Sequence, residues 1–421
     1  MDVVVVSEHR MVQMPDGTVW NESGPGYNFW RRYLDVFDSA KLVCRVAKRQ
    51  EDISRLVRVD GPGVTVIQVP YYVGPSAYLR VRGKVRKAVV DAFSPGDAVI
   101  LRVGSQLATP MVTHLQRTGA PYAVEVVGDP HDVFAPGVVD HPLRPFFRWW
   151  FVRQQKRQCA EACAVAYVTE HALQRRYPCG KYTVSVSDVA VHSEPPRDNQ
   201  VLTMHYSSIE LDPFDFSARA RLARPLGLRL ITVGSLAQLY KGVDTVIRAT
   251  AEARRQGLDL RLTVVGDGKY RTYLEDLARK EGLNGHVHFT GALPGSQAVK
   301  HELDQADLFV LASRTEGLPR ALIEAMARGL PCIASAVGGI PELLPAEDMF
   351  PPGSPTELLS KITEVIADTA RRERMSARNL VKALDFREEI LRARRTEFYR
   401  HVRRNTEEWS RTHLLKERQA P

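Results

Sequence analysis

Short apolar runs, each closed by a turn signal, alternate along the chain with stretches of helical period. Val3–Val6, Leu42–Val46, Val64–Pro70, Ala98–Val103, Ala123–Val127, Ala164–Thr169 and Val201–His205 read as one set of strands. Leu228–Val233, Leu260–Val265, Val287–Gly291, Leu308–Ala312 and Pro331–Ala334 read as a second. Strands alternating with helices are the mark of parallel α/β sheets. The polar stretch from Val6 to about Asn28 reads as a loop, and Tyr27, Phe29, Trp30, Tyr33, Leu34 and Phe37 read as an amphipathic core helix. Val243–Arg255, Pro355–Ala370 and a basic tail, Arg387–Arg404, are expected to be helical. The irregular stretch around Asp212-Pro213 and Pro225 suits a linker. The expected division is 1–205, a linker at 206–226, a second domain at 227–385 and a helical tail at 386–421.

The stretch Asp307–Leu344 carries the most chemistry. A strand, a polar turn, Pro319 at a helix start and Ala321, Leu322, Ala325 and Met326 at helical spacing form a strand–loop–helix unit closed by Gly329. Glu316 sits in the loop and Glu324 in the helix. Phosphates favour a helix N-terminus, where free N–H groups and the dipole point outward. At about 1.5 Å of rise per residue, Glu324 lies roughly 8–9 Å from that end. One carboxylate can then accept ribose hydroxyls and the other sugar hydroxyls, with a diphosphate between them.

In its context, S-R-T-E-G-L-P-R-A-L-I-E-A-M-A-R-G-L-P, the E-x7-E spacing of Glu316 and Glu324 resembles the retaining glycosyltransferases of family 4. The resemblance implies the GT-B fold: two Rossmann-like doubly wound domains facing a cleft, with a C-terminal helix returning to the first. It implies transfer of a hexosyl group from a nucleoside-diphosphate sugar to a hydroxyl acceptor with retained configuration, Glu316 placing the sugar and Glu324 the ribose. Gly317 and Leu318, ahead of the helix, join the donor contacts. Gly234-Ser235-Leu236 and Lys241-Gly242 are similar to the family's G-R-L…K-G, so Lys241 is expected at the diphosphate. The family's arginine is Ser235 here, and a replacement cation is sought in Arg314 or Arg320. Gly266-Asp267-Gly268 resembles the turn beside the nucleotide, and Thr290 and Gly291 end the strand that lines the base pocket. A histidine often follows the strand at Ala123–Val127; His131 and Asp129 are the matches, and which one faces the cleft stays open.

The loop after the first strand of a doubly wound domain faces the ligand, so Gly24 and Gly26 are candidate phosphate contacts. Thr169 and Glu170, at a later strand end, are candidate acceptor contacts. With no D-x-D motif, the site is expected to work without metal or cofactor, the leaving phosphate taking the acceptor proton.

Length, 421 residues, suits two or three domains, and 44% hydrophobic with 25% charged residues suits a globular protein. The five cysteines are unpatterned, no apolar run is long enough to span a bilayer, and the N-terminus lacks a signal peptide's basic region. A cytoplasmic protein with reduced thiols is expected. A net charge of +9 suits anionic partners, and with no nucleic-acid module the nucleotide and an anionic membrane surface remain. The segment Leu143–Gln158 gives the second a location. Phe146, Phe147, Trp150 and Phe151 share one face, ringed by Arg144, Arg148, Arg153, Lys156 and Arg157. It reads either as an interfacial helix or as a core helix capped by arginines. The interfacial reading favours a lipid-linked acceptor in cell-surface polysaccharide or glycolipid assembly. A soluble secondary-metabolite acceptor is the alternative, and from another class a nonhydrolysing sugar-nucleotide epimerase.

Overall fold

The structure, a computed structural model, describes residues 1–21, 24–49, 56–136, 138–139, 141–180, 183–185, 201–207, 209, 211–217, 228–293 and 295–419. Much of the expected linker, including Pro225, lies outside them.

The first sheet contains β1 (Asp2–Gln13), β2 (Val19–Asn21), β3 (Ser39–Lys48), β4 (Val57–Arg58), β5 (Val64–Pro70), β6 (Ala98–Val103), β7 (Ala123–Val126), β8 (Ala164–Tyr167), β9 (Thr183–Ser185) and β10 (Val201–His205). Its parallel strands lie in the order β5-β3-β1-β6-β7-β8-β10-β9, with the β2–β4 pair running antiparallel at the end of β1. The second sheet is β13-β12-β11-β14-β15-β16, all parallel: β11 (Leu228–Val233), β12 (Leu260–Val265), β13 (Val287–Gly291), β14 (Leu308–Leu311), β15 (Cys332–Ser335) and β16 (Met349–Phe350). In both sheets the strand order reverses beside the first strand, between β1 and β6 and between β11 and β14. Outside the carboxyl ends of strands at such a reversal, loops diverge and leave a crevice for ligands. Val3, Val4, Val5 and Val6, like Leu308, Phe309, Val310 and Leu311, are buried on both sheet faces, which explains their unbroken apolar runs.

The expected loop from Val6 to Asn28 is largely strand. β1 continues to Gln13 and returns through a turn in which Asp16 accepts the N–H of Thr18 at 2.9 Å. The polar group Ser7-Glu8-His9 hides this continuity, because it is a bulge where β1 loses register with β3 between Val6 and Arg10. The aromatic segment forms one helical turn, Tyr27–Trp30, then a 3-10 turn, Arg31–Asp35, and Trp30, Tyr33 and Phe37 are core. The expected helix Pro355–Ala370 is two, Pro355–Ala367 and Thr369–Ala383, because Asp368 caps the second by accepting from Arg371.

The tail is one long helix, Glu388–Gln419, lying back on β6, β8 and β10. Its Tyr399 hydroxyl donates to buried Glu125, which also accepts from Tyr33 and Tyr206. Where the helix begins, Glu388 N–H donates to Leu211 O at 2.9 Å, so the two passages of chain between domains are bonded side by side.

Candidate active site

At the reversal of the second sheet, Lys241 follows β11 and Glu316 follows β14. Gly242, at φ +66°, starts the next helix where a Cβ would lie 1.9 Å from the Ala312 carbonyl. That close approach brings Lys241 Nζ to 2.7 Å from Glu316 Oε1, which also accepts from Ser313 Oγ at 2.6 Å. Burial opposes the Lys241 charge, but Glu316 outweighs it and holds the ammonium above its ordinary pKa. Gly338, at φ +55°, presses on the Glu316 carbonyl, which a Cβ would approach to 1.8 Å. Ser235, Gly266, Thr290 and Gly291 gather at the neighbouring strand ends, where Gly266 N–H donates to Gly291 O at 3.0 Å and a Cβ on Gly266 would lie 2.0 Å from Gly234 O.

Between the two sheets lies a polar cavity of about 1070 Å³. Glu324 and Arg320 line it from the helix Arg320–Ala327, and Gly24 and Gly26 face them from the first domain. Burial raises the Glu324 carboxyl, against Arg320 and Lys300, which lower it. Sequence reasoning missed the other wall: Glu8 and His9 of the β1 bulge and Arg10 just after it, with Arg49 and Tyr71. The signal was present as a polar triplet interrupting an apolar strand, since bulges re-aim side chains and recur beside functional sites. His9 accepts or donates at Nδ1 with Ser7 Oγ at 2.6 Å and meets Trp30 edge-on. Burial, then Arg102 and Arg45, bring its pKa down to about 4.

Several expected placements need correction. Asp129 and His131, like Lys241 and Glu316, are not among the residues that line this cavity, and they lie apart from the Lys241–Glu316 pair, on the first domain. Pro130 opens a one-turn helix directly after β7, and Asp129 is consumed as its N-cap, accepting from His131 N–H and the Tyr177 hydroxyl and pairing with Arg176. His131 turns the other way, held by Asp132 at 2.7 Å and Arg148 at 2.6 Å. Asp129, His131 and Asp132 stand close enough to hold a cation, but Arg176 pairs with both carboxylates and already supplies positive charge. Arg314 is not a spare phosphate cation, because it pairs with Asp244 at 2.7 Å and donates to Leu239 O. Leu318 and Glu170 line a smaller cavity of about 270 Å³ at the domain junction. Gly317, donor contact by expectation, accepts from Gly339 N–H at 2.8 Å, and buried Thr169 accepts from Leu173 N–H at 3.0 Å. At the same junction Glu342 of the second domain accepts the N–H groups of Glu170, His171 and Ala172 at 2.6, 3.0 and 2.8 Å.

The aromatic segment is the helix Arg144–Ala160, and it is not core. Its buried residues are Gln155, Gln158 and Cys159, whereas Phe146, Trp149 and Trp150 are 51%, 56% and 38% exposed. Phe147 and Phe151 pack on Phe134. Arg148 is tied to His131 and Arg157 to Glu161, while Arg153 and Lys156 are exposed. Among the described residues no helix is long and apolar enough to cross a membrane.

Residues 218–380 match the family described as glycosyl transferases group 1. The match covers 163 of the chain's 421 residues. Beyond it, the chain is 26% identical to Protein CapJ of Staphylococcus aureus over 357 residues, 83% of each protein. A putative colanic acid biosynthesis glycosyltransferase of Escherichia coli K12, WcaL, is 36% identical over 147 residues, 34% of this chain and 36% of the relative, so that similarity spans only about a third of each. In structure the chain is similar to sucrose-phosphate synthase of Thermosynechococcus elongatus, with a TM-score of 0.69, 19% identity and coverage of 96% and 99%. The fold is GT-B, and the matched region lies in its second domain, with Lys241, Glu316 and Glu324 all inside it.

Proposed function

We propose that this protein is a retaining, metal-independent glycosyltransferase that moves a hexosyl group from a nucleoside-diphosphate sugar to a hydroxyl acceptor in cell-surface polysaccharide or glycolipid assembly. The observation that carries this reading is the pairing of Lys241 with Glu316 at the strand reversal, with Glu324 at the wall of the interdomain cavity. A nucleoside diphosphate offers Lys241 an alternative partner to Glu316. When the ammonium turns to phosphate, the Glu316 carboxylate is free to accept sugar hydroxyls. Glu324, on the far part of the helix, takes the ribose. The leaving phosphate accepts the acceptor proton on the same face, so catalysis is positioning and electrostatic stabilisation of the departing charge. The matched family supports the reaction class, and the relative WcaL, a putative colanic acid biosynthesis glycosyltransferase, supports the polysaccharide setting.

The acceptor is lipid-linked, and the helix Arg144–Ala160 rests on the anionic inner face of the cell membrane. Its exposed Phe146, Trp149 and Trp150 beside Arg153 and Lys156 support this, aromatic rings and cations being the pair that suits an interface.

Incubation with a panel of nucleotide-sugars, with and without a polyprenyl-linked acceptor, tests the reading. Acceptor-dependent release of nucleoside diphosphate that survives excess EDTA is expected. Conversion of the sugar-nucleotide without any acceptor identifies an epimerase instead, and loss of transfer restored by Mg²⁺ overturns the metal-free site.

A further inference from the structure

Three arginines, Arg10, Arg49 and Arg320, line the interdomain cavity together with two carboxylates, Glu8 and Glu324. We infer that the cavity seats a phosphoryl group between Arg10 of the first domain and Arg320 of the second, so that one anion is gripped by both domains. This deepens the glycosyltransferase reading and rests on it.

The argument begins with which cations are already engaged. Lys241 belongs to Glu316 and Arg314 to Asp244. Arg45 pairs with Glu8 at 2.9 Å and donates to Tyr72 O. Arg102 pairs with Glu125. Arg10 and Arg320 both line the cavity, both are exposed, and neither makes an ion pair among the described residues. The carboxylates of the wall do not balance them. Glu8 is spent across the reversal of the first sheet, holding Ser105 Oγ at 3.1 Å and Leu107 N–H at 2.9 Å besides Arg45. Glu324 remains, and burial disfavours its charge.

A second source of positive potential lies behind the wall. Arg32 and Arg102 are both buried, and both lie against the single carboxylate of Glu125. Phe29, whose ring lines the cavity, stacks on the Arg32 guanidinium at 3.7 Å. His9 stands in the same wall and, with its pKa brought down to about 4 by burial, adds no positive charge near neutral pH. An uncharged sugar needs no such field. A phosphate or diphosphate does, and a guanidinium can fork onto two of its oxygens. The bulge at Ser7–His9 lies just before Arg10, where β1 resumes its pairing opposite Arg45, and the Arg10 side chain lines the cavity.

The anion has two possible sources, the donor's diphosphate or a phosphate ester on the acceptor. Calorimetry on the full chain distinguishes them, using inorganic pyrophosphate, UDP, GDP and farnesyl phosphate in neutral micelles as probes. Arg10→Gln and Arg320→Gln are compared with wild type and with Lys280→Gln, an exposed position outside the cavity. Each cavity variant should weaken pyrophosphate binding by roughly tenfold to a hundredfold, the range of one charged hydrogen bond. An equal loss for UDP or GDP assigns the seat to the donor; a loss for farnesyl phosphate with UDP and GDP unchanged assigns it to the acceptor. Wild-type affinity for all four probes in both variants, or in Arg10→Gln alone, overturns the inference. Glu324→Ala keeps the two readings apart. If it leaves UDP and GDP binding intact, the ribose assignment fails whatever Arg10 does. Melting curves of both arginine variants should match wild type, since neither side chain is part of the core.

Discussion

Lys241 and Glu316 are 18% and 7% exposed, so each is the other's main protection against an unpaired buried charge. Removing one partner of such a pair costs on the order of 3–5 kcal/mol, more than the pair contributes over an apolar substitute. Lys241→Met and Glu316→Gln should therefore each lower the melting temperature clearly, and the double variant should recover part of the loss. A double variant no more stable than the sum of the single losses predicts would separate the two residues. Turnover should be lost in all three. Glu324→Ala should instead weaken nucleoside diphosphate binding with little effect on stability, because ionising that buried carboxyl is already unfavourable.

His9 gives a pH prediction. Its folded pKa, about 4, lies below the ordinary 6.5, so the unfolded chain takes up the proton first as pH falls. The stability it contributes is present above about pH 6.5 and is lost between there and about pH 4. By linkage the full loss is about 3 kcal/mol. Thermal melts of His9→Gln from pH 7 to pH 4.5 should decline less than wild type; parallel declines would show that His9 carries no part of the acid sensitivity. At this scale sequence brings out the Glu316–Glu324 spacing, which lies in one contiguous motif, whereas the partnership of Glu316 with Lys241, 75 residues away, is visible only in the fold. Sequence reasoning misplaced Asp129 and Arg314, whose partners Arg176, Tyr177 and Asp244 are distant in sequence.

Among the elements, most strands were legible through short apolar runs, unbroken where both faces are buried, as in β14 and the start of β1. β1 was cut short because its bulge reads as polar loop, and with it went the first domain's wall of the cavity. The aromatic helix was legible as a helix but not in its setting. Its face is shared between packing on Phe134 and exposure at Trp149, which no periodicity separates. The exposed part makes a firm prediction. The protein should sediment with anionic vesicles and be released by salt, and Arg153→Gln with Lys156→Gln should weaken this by about 2 kcal/mol, near 1 kcal/mol per basic residue. Arg148 is unsuitable for that test because it supports His131. Trp149→Ala should reduce vesicle binding while leaving the melting temperature near wild type. A large drop in melting temperature without any vesicle binding in wild type would return this helix to a packing role.

For the whole molecule, the relation of the two sheets rests on few polar contacts. Glu342 accepts three backbone N–H groups of the other domain. Glu342→Ala removes charged hydrogen bonds of about 1.5–3 kcal/mol each before solvent replaces them. Small-angle scattering should then show a larger radius of gyration, and KM should rise more than kcat falls; an unchanged scattering curve would mean the junction holds without it.

The side-by-side passages at Leu211 and Arg387 carry a mechanical consequence. A single strand of chain between two bodies would act as a string, free to twist, slide or swing. Two passages bonded to each other along one edge act as the pin of a pair of jaws. Rotation about the pin remains soft, while sliding of one jaw past the other would shear the bond from Glu388 N–H to Leu211 O. Opening then changes how far apart the two lips of the mouth stand without changing which residues face each other, so every bite returns the same teeth to the same sockets.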